Sequence, residues 1–142
     1  MEIKKFENDI MIIRVDRDEE ILAKLKEVAL DKQVHAAAVN AIGAVGEFTI
    51  GVFKTAEKQF LSKTYRGAFE MVSLLGTIGT LDGEFTCHLH MCAADESGIA
   101  VGGHLTRAVV SATAEIVLYL LDGTLERSYD SETGLNLLDF EK

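Results

Sequence analysis

One amphipathic segment near the N-terminus is followed by a long succession of strand-like segments, and this order constrains the fold more than any other feature. The apolar side chains of the first segment repeat at helical spacing: Ile21, Leu22, Leu25, Val28 and Ala29. Asp16 or Asp18 can cap such a helix, and Asp16 with Glu19 resembles a capping box. The pattern predicts one helix over about residues 18–31, with its apolar stripe in the core.

The rest of the chain consists of apolar runs separated mostly by glycine, and it contains no proline. These runs predict strands at residues 10–15, 35–42, 45–53, 60–65, 69–78, 84–93, 99–101, 112–121, 125–129 and 135–140. We expect the glycines between them to form turns. A helix followed by many consecutive strands indicates an α+β fold, with a mainly antiparallel β-sheet and one principal helix near the N-terminus.

The length of 142 residues predicts one domain, spanning residues 1–142. Residues 112–121 are apolar on both faces of the predicted strand. In so small a domain this suggests that one of the two faces meets another subunit.

Composition and charge narrow the function classes. No apolar run reaches the roughly 18 residues that span a membrane, and the N-terminus lacks the hydrophobic stretch of a signal peptide. We therefore expect a cytoplasmic protein without a membrane partner. The net charge is -9, and no basic cluster exceeds Lys4 and Lys5, which disfavours a broad DNA-binding surface. Cys87 and Cys92 would face opposite sides of one strand, and we expect them to be small buried residues rather than a disulfide.

Three of the four histidines lie in one short stretch, at His88, His90 and His104. On a strand, His88 and His90 point to the same face, with Leu89 on the other. Gly102 and Gly103 would allow a tight turn, and a hairpin folding back from Gly98 would bring His104 to the pair. The pattern fits a metal site or, alternatively, a structural hydrogen-bonding cluster.

Several metals and additional ligands are compatible with this pattern. Zinc suits three imidazoles with one open position, and iron, cobalt and nickel also accept imidazole. Cys92 shares the face of His90 and is a candidate fourth ligand. Asp95 and Glu96 would either hydrogen-bond the ligands or lie in a solvated loop. His35 is distant in sequence and is predicted to be unrelated to the cluster.

Two charged residues, Arg14 and Glu70, stand within apolar strand-like segments. Buried charges rarely remain unpaired, so one interpretation is an ion pair between them or between subunits. The other interpretation places one or both beside the histidines, with Arg14 as an anion clamp and Glu70 as a proton carrier.

The chain resembles the plants and prokaryotes conserved (PPC) domain, a family that includes plant AT-hook nuclear proteins and free-standing prokaryotic proteins. The resemblance covers essentially the whole chain and is carried by five segments: Asn40–Val45, Gly67–Leu74, His88–His90, Val101–Leu105 and Thr113–Val117. It implies a compact α+β domain that associates as a homotrimer. It also implies a metal, zinc in the first place, held by His88, His90 and His104.

The same resemblance implies a DNA-binding or regulatory role, which the plant members are described as having. This sequence departs from the plant pattern because it has no AT-hook, the basic arm that enters an A·T minor groove. It also has Ala68 where the plant segment has arginine.

Three functional hypotheses follow, and one of them is direct DNA binding. Of the other two, the first is a trimeric metal-binding PPC protein with a regulatory or interaction role. The second is a small metal-dependent enzyme in which the metal and its water act on a small ligand, with Glu70 as acid or base and Arg14 orienting an anion.

Overall fold

The computed structural model describes the whole chain, Met1–Lys142, as one helix and eight strands. Their bounds in chain order are β1 Glu2–Lys5, β2 Ile10–Asp16, α1 Ile21–Lys32, β3 Ala37–Lys54, β4 Gln59–Leu81, β5 Glu84–Ala94, β6 Ala100–Leu120, β7 Glu126–Asp130 and β8 Leu135–Leu138. This architecture confirms the predicted α+β fold with one principal helix.

The eight strands form one sheet, in which hydrogen-bonded neighbours follow the order β1-β2-β6-β3-β4-β7-β8. β5 lies off this path and pairs with both β4 and β6. Because β3 also pairs with β4 and with β6, strands β3 to β6 close into a ring. Every strand pair is antiparallel except β4 with β7.

The helix begins later than its sequence pattern predicts, at Ile21, and the prediction of an aspartate cap was wrong. Glu20 is the N-cap, and its carboxylate accepts hydrogen bonds from the backbone N–H groups of Leu22 (3.2 Å) and Ala23 (2.7 Å). Asp18 has φ +66°, so the backbone turns there before the helix starts. The helix is neither long enough nor apolar enough to cross a membrane.

Most glycines that were expected to form turns lie inside long strands instead. β3, β4 and β6 each join two segments that the sequence pattern had separated. Gly43 shows the reason, because a Cβ atom there would lie 2.5 Å from the carbonyl oxygen of Thr113 on β6. The missing side chain lets two paired strands approach closely, next to register shifts that bend the sheet.

A single apolar core lies between α1 and the inner face of the sheet. Alternate residues of β6, such as Ile116 and Leu118, are completely buried there. The outer face of the sheet remains apolar in places: Ile42, Val72 and Leu75 are each more than half exposed in the single chain. The fold therefore leaves an apolar patch on the outer face of β3 and β4.

Candidate metal centre

Two neighbouring strands bring the three clustered histidines together. His88 and His90 lie on β5, and His104 lies on β6, where it is the direct cross-strand partner of His90. One ligand nitrogen from each ring lies within 4.8 Å of the other two. The structure thus confirms that strand periodicity and a hairpin assemble the cluster.

The spacing of the rings suits one small ion. The Nε2 atoms of His88 and His90 are 3.2 Å apart, and the ring centroids of the three histidines are separated by 5.0–5.5 Å. Two nitrogens bound at about 2.0–2.1 Å in a tetrahedral zinc site lie about 3.3–3.4 Å apart. The His88–His90 separation of 3.2 Å is close to that value.

The chain folds back at Asp95–Gly98, which confirms the hairpin expected at Gly98, and it makes no turn at the glycine pair before His104. Gly98 has φ +79° and donates its backbone N–H to the Asp95 carbonyl oxygen at 2.9 Å. Gly103 lies within β6, where a Cβ atom would be 2.7 Å from the carbonyl oxygen of Gly51. The expectation of a turn at Gly102 and Gly103 was therefore wrong: Gly103 allows β3 to approach β6 beside His104.

Close packing also positions the histidines from behind and from the side. A Cβ atom on Gly76 of β4 would lie 1.9 Å from the carbonyl oxygen of His88, so only glycine lets β4 and β5 pair here. The ring of Phe60 meets His104 edge to face, with centroids 5.6 Å apart. These contacts fix the β5 backbone and one of the rings at the site.

The electrostatic environment favours neutral imidazole, the form that binds metal. Partial burial lowers the pKa of His88 below its ordinary value, and the positive charge of Arg127 lowers it further. Burial also lowers the pKa of His104, with smaller effects from His90 and Arg127. Both rings therefore keep a free lone pair at neutral pH.

The histidines open onto a cleft of about 790 Å³. The β3–β4 hairpin supplies apolar side chains on one side, and β7 and β8 border the other side. The lining residues include Val52, Phe53, Phe60, Arg127, Leu135 and Leu137. A metal held by the three rings would therefore keep an open position toward a space large enough for a small organic ligand.

Arg127 is the residue of this cleft that the sequence interpretation missed. Its side chain is buried, with 8% of the residue exposed, and the residue borders the same cleft as the three histidines. The signal in the sequence was a lone basic residue in the predicted strand 125–129. The criterion that singled out Arg14 and Glu70, a charge within an apolar segment, did not select Arg127, because its strand is mostly polar and Glu126 precedes it.

Arg14 and Glu70 lie elsewhere, and the structure does not bring them together within one chain. Arg14 on β2 is exposed and forms ion pairs with Glu2 and Asp16, each at 2.8 Å. Glu70 is exposed on β4, in a register position beside Ala94 of β5. Neither residue borders the histidine cleft, so the chain alone gives no support to the roles of anion clamp and proton carrier.

The other candidate ligands are also outside the cluster. Cys92 is not among the grouped ligand atoms, and both cysteines are free thiols. Both are only partly buried, so the expectation of buried residues was wrong. The Asp95 carboxylate accepts hydrogen bonds from Ser97 and from the backbone of Ile99, so it stabilises the hairpin turn rather than the histidines. Glu96 is exposed in the same turn. Of the two interpretations of Asp95 and Glu96, the structure therefore agrees with a loop at the surface and not with hydrogen bonds to the histidines.

Comparison with known proteins agrees with this fold. The sequence pattern of the plants and prokaryotes conserved (PCC) domain, the family abbreviated PPC above, matches residues 4–122. No curated protein gives a significant sequence match. A candidate DNA-binding protein from Bacteroides thetaiotaomicron is 30% identical in sequence and has a TM-score of 0.95, covering 99% of this chain and 98% of its own.

Two archaeal structures are similar as well. A metal-containing protein from Archaeoglobus fulgidus is 32% identical with a TM-score of 0.85, covering 97% of this chain and 99% of its own. A plant- and prokaryote-conserved protein from Pyrococcus horikoshii is 30% identical with a TM-score of 0.85, covering 99% of this chain and 95% of its own. On the sequence match and the shared fold together, this chain belongs to the plants and prokaryotes conserved (PCC) domain family.

Proposed function

We propose that this PCC-domain protein binds one divalent metal per chain through His88, His90 and His104, and that the metal binds a small ligand in the adjoining cleft. The observation that carries the proposal is the convergence of three ligand nitrogens within 4.8 Å at the edge of an open cleft. The similar protein from Archaeoglobus fulgidus, which contains a metal, adds support.

Zinc is the metal we propose first. Three imidazoles leave one position of a tetrahedral site for water or a ligand, and the 3.2 Å separation of two nitrogens suits that geometry. When bound, such a metal polarises a ligand oxygen and acidifies a bound water. The chain itself supplies the three imidazole donors and an open cleft that admits a ligand.

Metal analysis of untagged protein, loaded with zinc and then desalted, tests the site. We expect about one zinc per chain in the wild type and almost none in a His88→Ala/His104→Ala variant, because one imidazole alone cannot retain the ion. His35→Ala is the matched control, since His35 is exposed and outside the cluster. Equal zinc contents in the wild type and a folded double variant would overturn the proposal.

We also propose that the chain assembles as a homotrimer. The support is the outer apolar patch of Ile42, Val72 and Leu75, because large exposed patches commonly mark subunit contacts. Leu75 is the cross-strand partner of His90, so this patch borders the metal centre. Light scattering should give about three times the 15.5 kDa chain mass, and a mass near that of one chain would contradict the assembly.

A DNA-binding or regulatory role is the second candidate, favoured by the similarity to the candidate DNA-binding protein from Bacteroides thetaiotaomicron. The net charge of -9 opposes it, because non-specific DNA binding depends on many phosphate contacts from Lys and Arg. Binding to duplex DNA at low salt, with an affinity that falls steeply as salt is added, would support this role. No binding at low salt would exclude it for this domain.

A metal-dependent enzyme remains an alternative use of the same centre. Glu70, the acid or base expected from the sequence, does not border the cleft in the single chain. The fixed charge that does border it belongs to Arg127. The nature of the ligand is therefore best approached through that arginine.

A further inference from the structure

The cleft beside the three histidines contains a buried positive charge without a negative partner. Only 8% of Arg127 is exposed, and no carboxylate of the chain lies within 4.0 Å of its guanidinium. Every other arginine of the chain forms an ion pair. Because a buried charge is costly without a counter-charge, Arg127 indicates a site for an anion.

The hydrogen bonds of Arg127 fix the guanidinium and leave donors free. Nη1 donates to the carbonyl oxygen of Asn136 on β8 at 3.0 Å, and Nη2 donates to the hydroxyl of Thr77 on β4 at 3.3 Å. A guanidinium has five N–H donors, so three remain for a ligand. Nε forms no hydrogen bond and is not sealed from solvent. The side chain is therefore both held in place and available to the cleft.

Cys87, which borders the cleft, and Glu126, the residue before Arg127, are candidates for an internal counter-ion, but neither is paired with its guanidinium. Cys87 is a free, partly buried thiol, and it forms no hydrogen bond with Arg127. Glu126, the preceding residue, directs its carboxylate to the hydroxyl of Thr80 and to the backbone N–H of Asp82. The chain does not supply the anion itself.

Arg127 lies close to the proposed metal. Thr77, which receives its Nη2 hydrogen bond, is the direct cross-strand partner of His88. Directly paired residues in antiparallel strands point to the same face, with Cβ atoms about 4.5–5.5 Å apart. The guanidinium is therefore one strand away from the first metal ligand and borders the same cleft.

We propose that the cleft binds a small organic carboxylate, with its carboxylate on Arg127 and a second oxygen of the molecule at the metal. This inference rests on the proposed metal-binding function and adds the chemical class of the ligand. A planar guanidinium matches a carboxylate through two parallel hydrogen bonds. The apolar side chains of Val52, Phe53 and Leu137 on the cleft walls suit a ligand with a short carbon skeleton.

Calorimetric titration with lactate and with its neutral analogue lactamide tests this assignment in the assembled protein. Both probes carry the same hydroxyl, but only lactate carries the charge that Arg127 recognises. We expect lactate to bind roughly ten- to a hundredfold more tightly than lactamide, since a hydrogen-bonded ion pair contributes about that much. The preference should persist in the zinc-free wild type, where the metal cannot produce it.

Substitutions then assign the preference to one side chain. Arg127→Met should remove the preference, Arg127→Lys should retain part of it, and the exposed Arg14→Gln control should leave it unchanged. Zinc content should equal that of the wild type in all three variants, so a failure to bind zinc overturns the proposed function and not the role of Arg127. Equal affinity for lactate and lactamide in the zinc-free wild type, or an unchanged preference in a folded Arg127→Met protein, would overturn the inference.

Discussion

Two arginines, each within a strand, show how differently this fold uses the same residue. Arg14 on β2 is exposed and pairs with Glu2 and Asp16. Arg127 on β7 is buried, donates only to a carbonyl oxygen and a hydroxyl, and faces the histidine cleft. The charge of Arg14 is satisfied by the chain, whereas that of Arg127 is not.

This difference separates a structural region from a functional one. Around Arg14, the N-terminal ammonium also pairs with Glu19 at 2.9 Å, so charges of both signs are balanced locally. Around Arg127, the other polar side chains at the cleft include the imidazoles of His88 and His104, whose environment favours the neutral form. A region with an excess of one charge, aimed into a cleft, is preorganised for an external partner.

The largest expected difference between the two regions is the effect of their substitutions on the rise in Tm that zinc produces. At a free concentration about 100 times its Kd, zinc should stabilise the protein by about 2.7 kcal/mol, which corresponds to a rise in Tm of roughly 5–11 °C. Differential scanning calorimetry of wild type and Arg14→Gln should show the same rise, because Arg14 is outside the cluster. The His88→Ala/His104→Ala variant should show none, and a full rise in that variant would place the zinc elsewhere.

Replacing each arginine by a neutral residue should give a second, smaller contrast. Arg127→Met removes a buried charge that lacks a counter-ion, so we expect the ligand-free protein to gain about 1–2 kcal/mol in unfolding free energy. Arg14→Gln should leave the urea midpoint unchanged within error, because exposed ion pairs contribute little. A clear loss of stability in Arg127→Met would mean that its bonds to Thr77 and Asn136 hold the fold together.

The histidine half of the site was accessible from the sequence because its geometry is local. A spacing of two residues on a strand fixes the shared face of His88 and His90, and one tight hairpin adds His104. Arg127 was not accessible in the same way. Its importance comes from the absence of a carboxylate neighbour, and its partner Thr77 is 50 residues away in sequence.

The fold shows the same distinction between features set by local sequence and features set by contacts with distant strands. Apolar periodicity predicted the helix and most strands, but not that Gly43 continues β3, since this depends on the approach of Thr113 from β6. The helix cap was also decided by tertiary contact. The Glu20 carboxylate bonds the backbone N–H of Ala108 on β6 at 3.0 Å as well as those of the first helical turn. Propensity alone favours the aspartates.

The two regions should also lose stability in different pH ranges. In the histidine cluster, folding lowers the pKa of His88 and His104 from 6.5, mainly through burial. Below pH 6.5 the unfolded chain therefore binds more protons than the folded one. The stabilisation that the two neutral histidines provide is complete above pH 6.5, and it is lost as the pH falls through their lowered pKa values. In the N-terminal network, the Met1 ammonium is the main cause that lowers the pKa of Asp16 from 3.8. That contribution is complete above pH 3.8 and is lost in more acidic solution.

Thermal melts of metal-free protein from neutral to acidic pH measure this difference. We expect it to be smaller than the effects of zinc and of the arginine substitutions, but it is the most specific to each region. In the wild type, Tm should begin to fall just below pH 6.5, and a second fall should follow below pH 3.8. His88→Gln/His104→Gln should remove the first fall and keep the second, and Asp16→Asn should weaken the second and keep the first. His35→Gln is the control for the loss of any exposed histidine. A first fall that survives in the double variant would show that groups outside the cluster control stability near neutral pH, and that the cleft is not the proton-sensitive region of the fold.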